Sequence, residues 1–228
     1  MVLTMNKKIL VYGDSNTWGW IGVEEAFPST RYNDDERWAG VMSDALGSDV
    51  SVAVDGLTVR STNLDDSNDW NNITADMFNG AKLLPCAIAR EMPLDLLIIS
   101  LGTNDLKSET NRSAKDIAEA LIGLSEISNQ SASGVAYKYD APKVLIIAPA
   151  PLNSMPHPDF AAMFEGAQKK SKNISFELKK AASGRDIFIL DAGEIIGAAA
   201  SVDGLHISKQ QHNQLGIAVA KTVKSILK

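Results

Sequence analysis

Residues 7–20 read KKILVYGDSNTWGW. An apolar run stops abruptly at Gly13-Asp14-Ser15-Asn16, a small turn that presents a serine. A strand ending this way fits ordinary punctuation, a phosphate cradle at a helix start, or a mounting for a nucleophile. What the rest of the chain brings to the same place decides among them.

Four more short runs follow: VSVAV (50–54), LDLLIIS (94–100), KVLIIA (143–148) and DIFIL (186–190). They are nearly continuous in Ile, Leu and Val, as parallel strands covered on both faces must be. Helical patterns separate them: 37–47, a segment around 73–92, 113–128, and a long stretch from about 158 to 183. A last helix, SKQQHNQLGIAVAKTVKSILK, closes the chain. This order predicts an α/β fold, one domain over 1–228, with a doubly wound, mainly parallel five-stranded sheet and helices on both faces. The connections 20–36, 57–72 and 149–160 exceed what a crossover needs, and long ordered loops usually shape a site or an interface.

At 228 residues the chain can bury a sizeable core without disulfides or metal. Its net charge of −6, with scattered acidic residues and no basic patch, argues against a nucleic-acid partner. No run approaches the ~20 apolar residues of a membrane span. The N-terminal residues show no signal-peptide pattern, so the expected location is the cytoplasm, with no membrane partner. The single cysteine, Cys86 in LLPCAIAR, is expected to be buried as a small hydrophobe.

Ligands of open α/β sheets bind beyond the carboxyl ends of the strands. After the second run stands Asp55-Gly56-Leu57, and after the third Gly102-Thr103-Asn104-Asp105. Asp203-Gly204-Leu205-His206 precedes the last helix. The spacing lets the Asp203 carboxylate reach Nδ1 of His206, leaving Nε2 free to take a proton from Ser15. Taken singly, Ser15 reads as a helix cap and DGLH as a cap beside a surface histidine. The fold order carries both to one edge of the sheet. The Ser15 and Gly56 backbone N–H groups and the Asn104 side-chain amide would then serve as oxyanion donors. His157 lies between prolines and is given no chemistry, while His212, inside the last helix, is expected to face solvent. No further His or Cys offers metal-ligand spacing, and no metal or cofactor is implied. A flavodoxin-like module holding the phosphate of FMN is the rival reading. It leaves Asp203–His206, Gly56 and Asn104 unexplained.

The blocks GDSN (13–16), Gly56, GTND (102–105) and DGLH (203–206) resemble, in order, those of the SGNH hydrolases, the GDSL-like esterases and lipases. Asn16 stands where many members have Leu. GDSNTWGW, Arg37-Trp38, residues 60–66, NGAKLLPC and APAPLNSMPHP are similar to the bacterial arylesterase and acyltransferase subgroup. The resemblance implies the flavodoxin-like SGNH fold, a Ser15–His206–Asp203 triad and an oxyanion hole of Ser15, Gly56 and Asn104. It implies a small-molecule ester substrate with a short acyl chain, aryl acetates included, and acyl transfer to alcohols or peroxide. It further implies a homo-oligomer. On this reading Trp18 and Trp20 wall the acyl pocket, Asp14 stabilises the turn, and Asp105 is a structural acceptor. A carbohydrate O-acetylesterase or a thioesterase would use the same machinery.

Overall fold

The computed structural model describes residues 6–67, 72–131 and 139–228. Five parallel strands, β1 (Lys7–Gly13), β2 (Val50–Gly56), β3 (Leu96–Ser100), β4 (Lys143–Ala148) and β5 (Phe188–Asp191), pair in the order β2-β1-β3-β4-β5. The order reverses direction at β1, so the crevice at its carboxyl end is the natural ligand site of such a sheet.

Successive side chains on a strand point to opposite faces. Leu10 and Tyr12 of β1, with Leu97, Ile99 and Ile146, pack under α3 (Gly80–Glu91), α4 (Ala114–Gln130) and α6 (Ala167–Ala181). Ile9 and Val11, with Leu96, Ile98, Leu145 and Ile147, face α2 (Trp38–Leu46) and α8 (Lys209–Ile226). Both faces are therefore covered, as the continuous apolar runs require. The short helices α1 (Ser15–Trp18), α5 (Pro158–Met163) and α7 (Ala192–Ile196) complete the α-helices of the described residues. Among the described residues no helix is long and apolar enough to cross a membrane.

Local chemistry sets several helix boundaries. Ser113 with Asp116 and Ser208 with Gln211 form reciprocal capping boxes at the starts of α4 and α8. The stretch 158–183, read as one helix, is two. Gly166, at φ 73°, breaks it between α5 and α6. His157 caps α5, its Nδ1 accepting from the Asp159 N–H at 3.3 Å.

Two expectations fail. Cys86 is exposed, on the outer side of α3 rather than beneath it. His212 is fully buried between α8 and α2, where its Nδ1 accepts from the Trp38 N–H at 3.2 Å.

Candidate active site

Strand β1 ends at Gly13, and a side chain there would collide with the Thr17 hydroxyl at 2.1 Å and the Ser100 carbonyl at 2.9 Å. That absence of a side chain lets α1 fold back directly over the strand end. Asp14 caps α1 through the Asn16 N–H at 2.9 Å, stabilising the turn. Burial pushes its carboxyl up to about 6, against the hydrogen bonds from Asn16 and Thr103. Ser15 is thereby presented at the first position of α1, 6% exposed.

His206 approaches from the loop joining α7 to α8. Its Nε2 lies 2.9 Å from Ser15 Oγ, and its Nδ1 lies 2.6 Å from Asp203 Oδ2. The other Asp203 oxygen accepts from the Leu205 and His206 N–H groups at 3.0 and 2.9 Å. Burial works to raise the Asp203 carboxyl, yet these bonds and the imidazole charge hold it below its ordinary value. Gly204, at φ 71°, abuts the Ser154 carbonyl so closely that a Cβ would sit 2.1 Å from it. The loop reaches the serine because that close approach is possible.

A carboxylate behind Nδ1 makes Nδ1 the donor and leaves Nε2 as the acceptor facing the serine hydroxyl. The arrangement can therefore generate a serine alkoxide equivalent. Trp20 stacks on the His206 ring at 5.4 Å between centroids and 20° between planes, limiting the ring's rotation.

Above the pair opens a cavity of about 310 Å³, lined by Ser15, His206, Asn104, Trp20, Val59 and a set of apolar side chains that includes Phe27, Phe78, Phe160 and Phe164. All three long connections or their adjoining turns contribute to it. Trp20 is part of this wall. Trp18 is not: it lies on the far side, beneath Arg31 at 4.9 Å, in the groove beside β2.

Asn104 Nδ2 donates one proton to the Arg60 carbonyl at 3.0 Å, which orients the amide. Gly56 does not reach the cavity. Leu57 N–H points at Gly13, so strand alternation turns the Gly56 N–H to the outer edge of the sheet. A Cβ on Gly56 would meet Trp18 N at 2.6 Å, which explains the glycine by close packing. Val59, three residues later, lines the cavity at φ 70°. A β-branched residue in that conformation stores about 1–3 kcal/mol of strain, which clusters at functional sites. No partner for its N–H is found among the described residues.

Sequence reasoning missed Val59 because nothing about a valine announces a left-handed backbone. It also gave Arg60 no role. The buried Arg60 guanidinium donates to the Gly13 and Asp55 carbonyls at 3.0 and 2.8 Å and to the Asp55 carboxylate at 2.8 Å. It also stacks on Tyr12 at 4.0 Å, tying the ends of β1 and β2 to the loop that carries Val59. Asp105 is a structural acceptor, taking bonds from the Thr62 N–H at 2.9 Å and Arg112 at 2.6 Å.

The GDSL-like lipase/acylhydrolase family model matches residues 9–219. The chain belongs to this family. As a GDSL hydrolase it shares its architecture with the aryl esterase of M. smegmatis, at 42% identity, TM-score 0.92, covering 97% of this chain and 100% of that one. Est24, a carbohydrate acetylesterase from Sinorhizobium meliloti, is 41% identical with TM-score 0.91, covering 96% and 99% of the two chains. Another carbohydrate acetylesterase family member from Sinorhizobium meliloti is 30% identical with TM-score 0.86, covering 97% and 99%. No curated protein matches this GDSL hydrolase at a significant level.

Proposed function

We propose that this GDSL hydrolase is a serine esterase for short-chain carboxylic esters, aryl esters included, working through an acyl-enzyme. The observation that carries the reading is the Ser15–His206–Asp203 relay opening into an aromatic-lined cavity of about 310 Å³. That volume is at the small end for ligand sites and suits an acetyl-type acyl group with a compact alcohol.

His206 Nε2 takes the Ser15 proton as Oγ attacks the ester carbonyl carbon. The oxyanion receives hydrogen bonds from the Ser15 N–H, the Val59 N–H and the second proton of Asn104 Nδ2, with Val59 taking the role expected of Gly56. The tetrahedral adduct collapses, and His206 protonates the departing alkoxide. A second nucleophile, deprotonated by the same nitrogen, then releases the acyl group. The apolar walls disfavour water, which supports transfer to an alcohol or peroxide alongside hydrolysis. Phe27 and Ile73 line this cavity yet are 49% and 39% exposed, an apolar rim that a second copy of the chain would cover in a homo-oligomer.

The test is turnover of p-nitrophenyl acetate, butyrate and octanoate by wild type and Ser15→Ala. Acetate is expected to be fastest, and Ser15→Ala to lose roughly 10⁴-fold or more. Activity surviving in Ser15→Ala sinks the mechanism. The 41% identity to a carbohydrate acetylesterase favours one second reading, sugar acetates as the physiological esters. Faster acetate release from peracetylated xylose than from phenyl acetate would select it.

A further inference from the structure

The loop carrying His206 runs from Gly197 to Ser208 between α7 and α8, outside regular structure. Most of the bonds that shape it are internal or lead to α8. Asp203 holds the Leu205 and His206 N–H groups, and the His206 carbonyl accepts from the Ser201 N–H at 3.1 Å. Gln211 gathers Ala200 and Ser208 through its side-chain oxygen and Ile196 and Ala198 through its nitrogen. These contacts give the loop its shape. They do not fix its distance from the serine turn, which lies 191 residues away in sequence.

Beside the Trp20 ring stacked on His206, one further side-chain hydrogen bond spans that gap among the described residues. Asn16 Oδ1 accepts from the Ile207 N–H at 3.0 Å. Asn16 follows Ser15 and Ile207 follows His206, so this bond and the Ser15–His206 contact close a small ring through two adjacent peptides. The Asn16 N–H is itself held by Asp14 at 2.9 Å, which anchors the ring to the end of β1. Asn16 is not among the residues lining the substrate cavity. It sits behind the triad with Asp14, Thr103 and Ile207.

We propose that Asn16 is a positioning residue that sets the Ser15–His206 separation, acting through Ile207 rather than on the substrate. The inference rests on the serine esterase reading above. Proton transfer between a serine oxygen and an imidazole nitrogen falls off steeply with misplacement, and a shift of about 1 Å can cost on the order of 10²-fold. A clamp one residue from each partner is the shortest device that resists such a shift.

Asn16→Leu tests it, because leucine keeps the volume and removes the acceptor. The expected result is a kcat for p-nitrophenyl acetate lowered by about 10- to 100-fold. KM should stay within about twofold, since no substrate contact is lost. Amide exchange at Ile207 should accelerate in the same protein. Should the leucine variant not fold, Asn16→Ser, too short to span the gap, is read the same way. A kcat within about twofold of wild type, or a lowered kcat with unchanged Ile207 exchange, overturns the proposal. Ser15→Ala in the same series separates the two claims. If it remains active, the esterase mechanism fails. If it is inactive while Asn16→Leu is not impaired, only the clamp fails.

Discussion

His206 and His212 flank the start of α8, and both are buried, at 3% and 0% exposed. They differ in what meets each ring nitrogen. Nδ1 of His206 faces the Asp203 carboxylate, so it carries the proton and Nε2 is a free acceptor aimed at Ser15. Nδ1 of His212 accepts from the Trp38 backbone N–H, so the proton sits on Nε2, which is buried with no partner among the described residues. The Tyr32 ring closes over it edge-on at 5.1 Å. Burial, aided by the charges of His206 and Arg37, pushes His212 down to about 3. One imidazole presents its acceptor nitrogen to a serine hydroxyl, and the other is kept neutral by its surroundings. A carboxylate behind the ring and a cavity before it make the difference, since burial is common to both.

The sharpest way to break this contrast is to exchange their fates by mutation. Asp203→Asn should lower kcat about 10⁴-fold while leaving the fold intact, because it removes the charge and favours the wrong tautomer. Steady-state turnover beside a circular dichroism melt checks this. Asn104→Ala should come next, with a loss of about 10²–10³ in kcat and little change in KM. Val59→Gly should cost far less than Asn104→Ala in the same assay, because it keeps the N–H and relieves a strained φ. A loss as large as that of Asn104→Ala would remove Val59 from the oxyanion hole or require its side chain in the site.

For His212 the expected effect is on stability alone. His212→Leu should cost about 1–3 kcal/mol by leaving the Trp38 N–H without its acceptor, with kcat per folded molecule unchanged. Urea melts with active-site titration separate the two quantities.

The pH dependence refines the comparison further. His212 stays neutral in the native state down to about 3, while the unfolded imidazole gains a proton near 6.5. The unfolded state binds more protons in that window, so this contribution to stability is lost as pH falls below about 6.5. Asp14 acts in the opposite sense. Its native carboxyl keeps a proton up to about 6 against 3.8 unfolded, so its contribution is lost as pH rises through that interval. Between about 4 and 6 the two slopes oppose each other, and wild-type melts should vary little from these groups. His212→Gln should expose the Asp14 slope, with stability falling as pH rises. A His212→Gln variant that still loses stability on acidification would show that this histidine is not the group responsible.

Much of the molecule was legible in the residues themselves. All five strands fall on the apolar runs, because a strand covered on both faces has to be apolar at nearly every position. Ser15, Asp203 and His206 could be placed together because parallel topology sends every strand end to one edge. Asn104 could be placed there for the same reason. Cys86 and His212 were misread because helical residues take their environment from the neighbouring elements. Their surroundings are α3's open side for one and the α2–α8 contact for the other. Gly56 was chosen because glycine suggests close approach, and it is indeed tightly packed, but against Trp18.

The sequence by itself thus determined the sheet, its order of elements and which serine, histidine and aspartate meet at its edge, since these depend on periodicity, strand ends and side-chain type. Tertiary structure alone decided that Trp20 walls the cavity while Trp18 does not. It also put Val59 rather than Gly56 in the cavity wall and made Asn16 a bridge to the histidine loop. Those outcomes turn on the direction of single N–H groups and side chains across segments far apart in sequence. Such directions are set when the loops pack against each other over the end of the sheet.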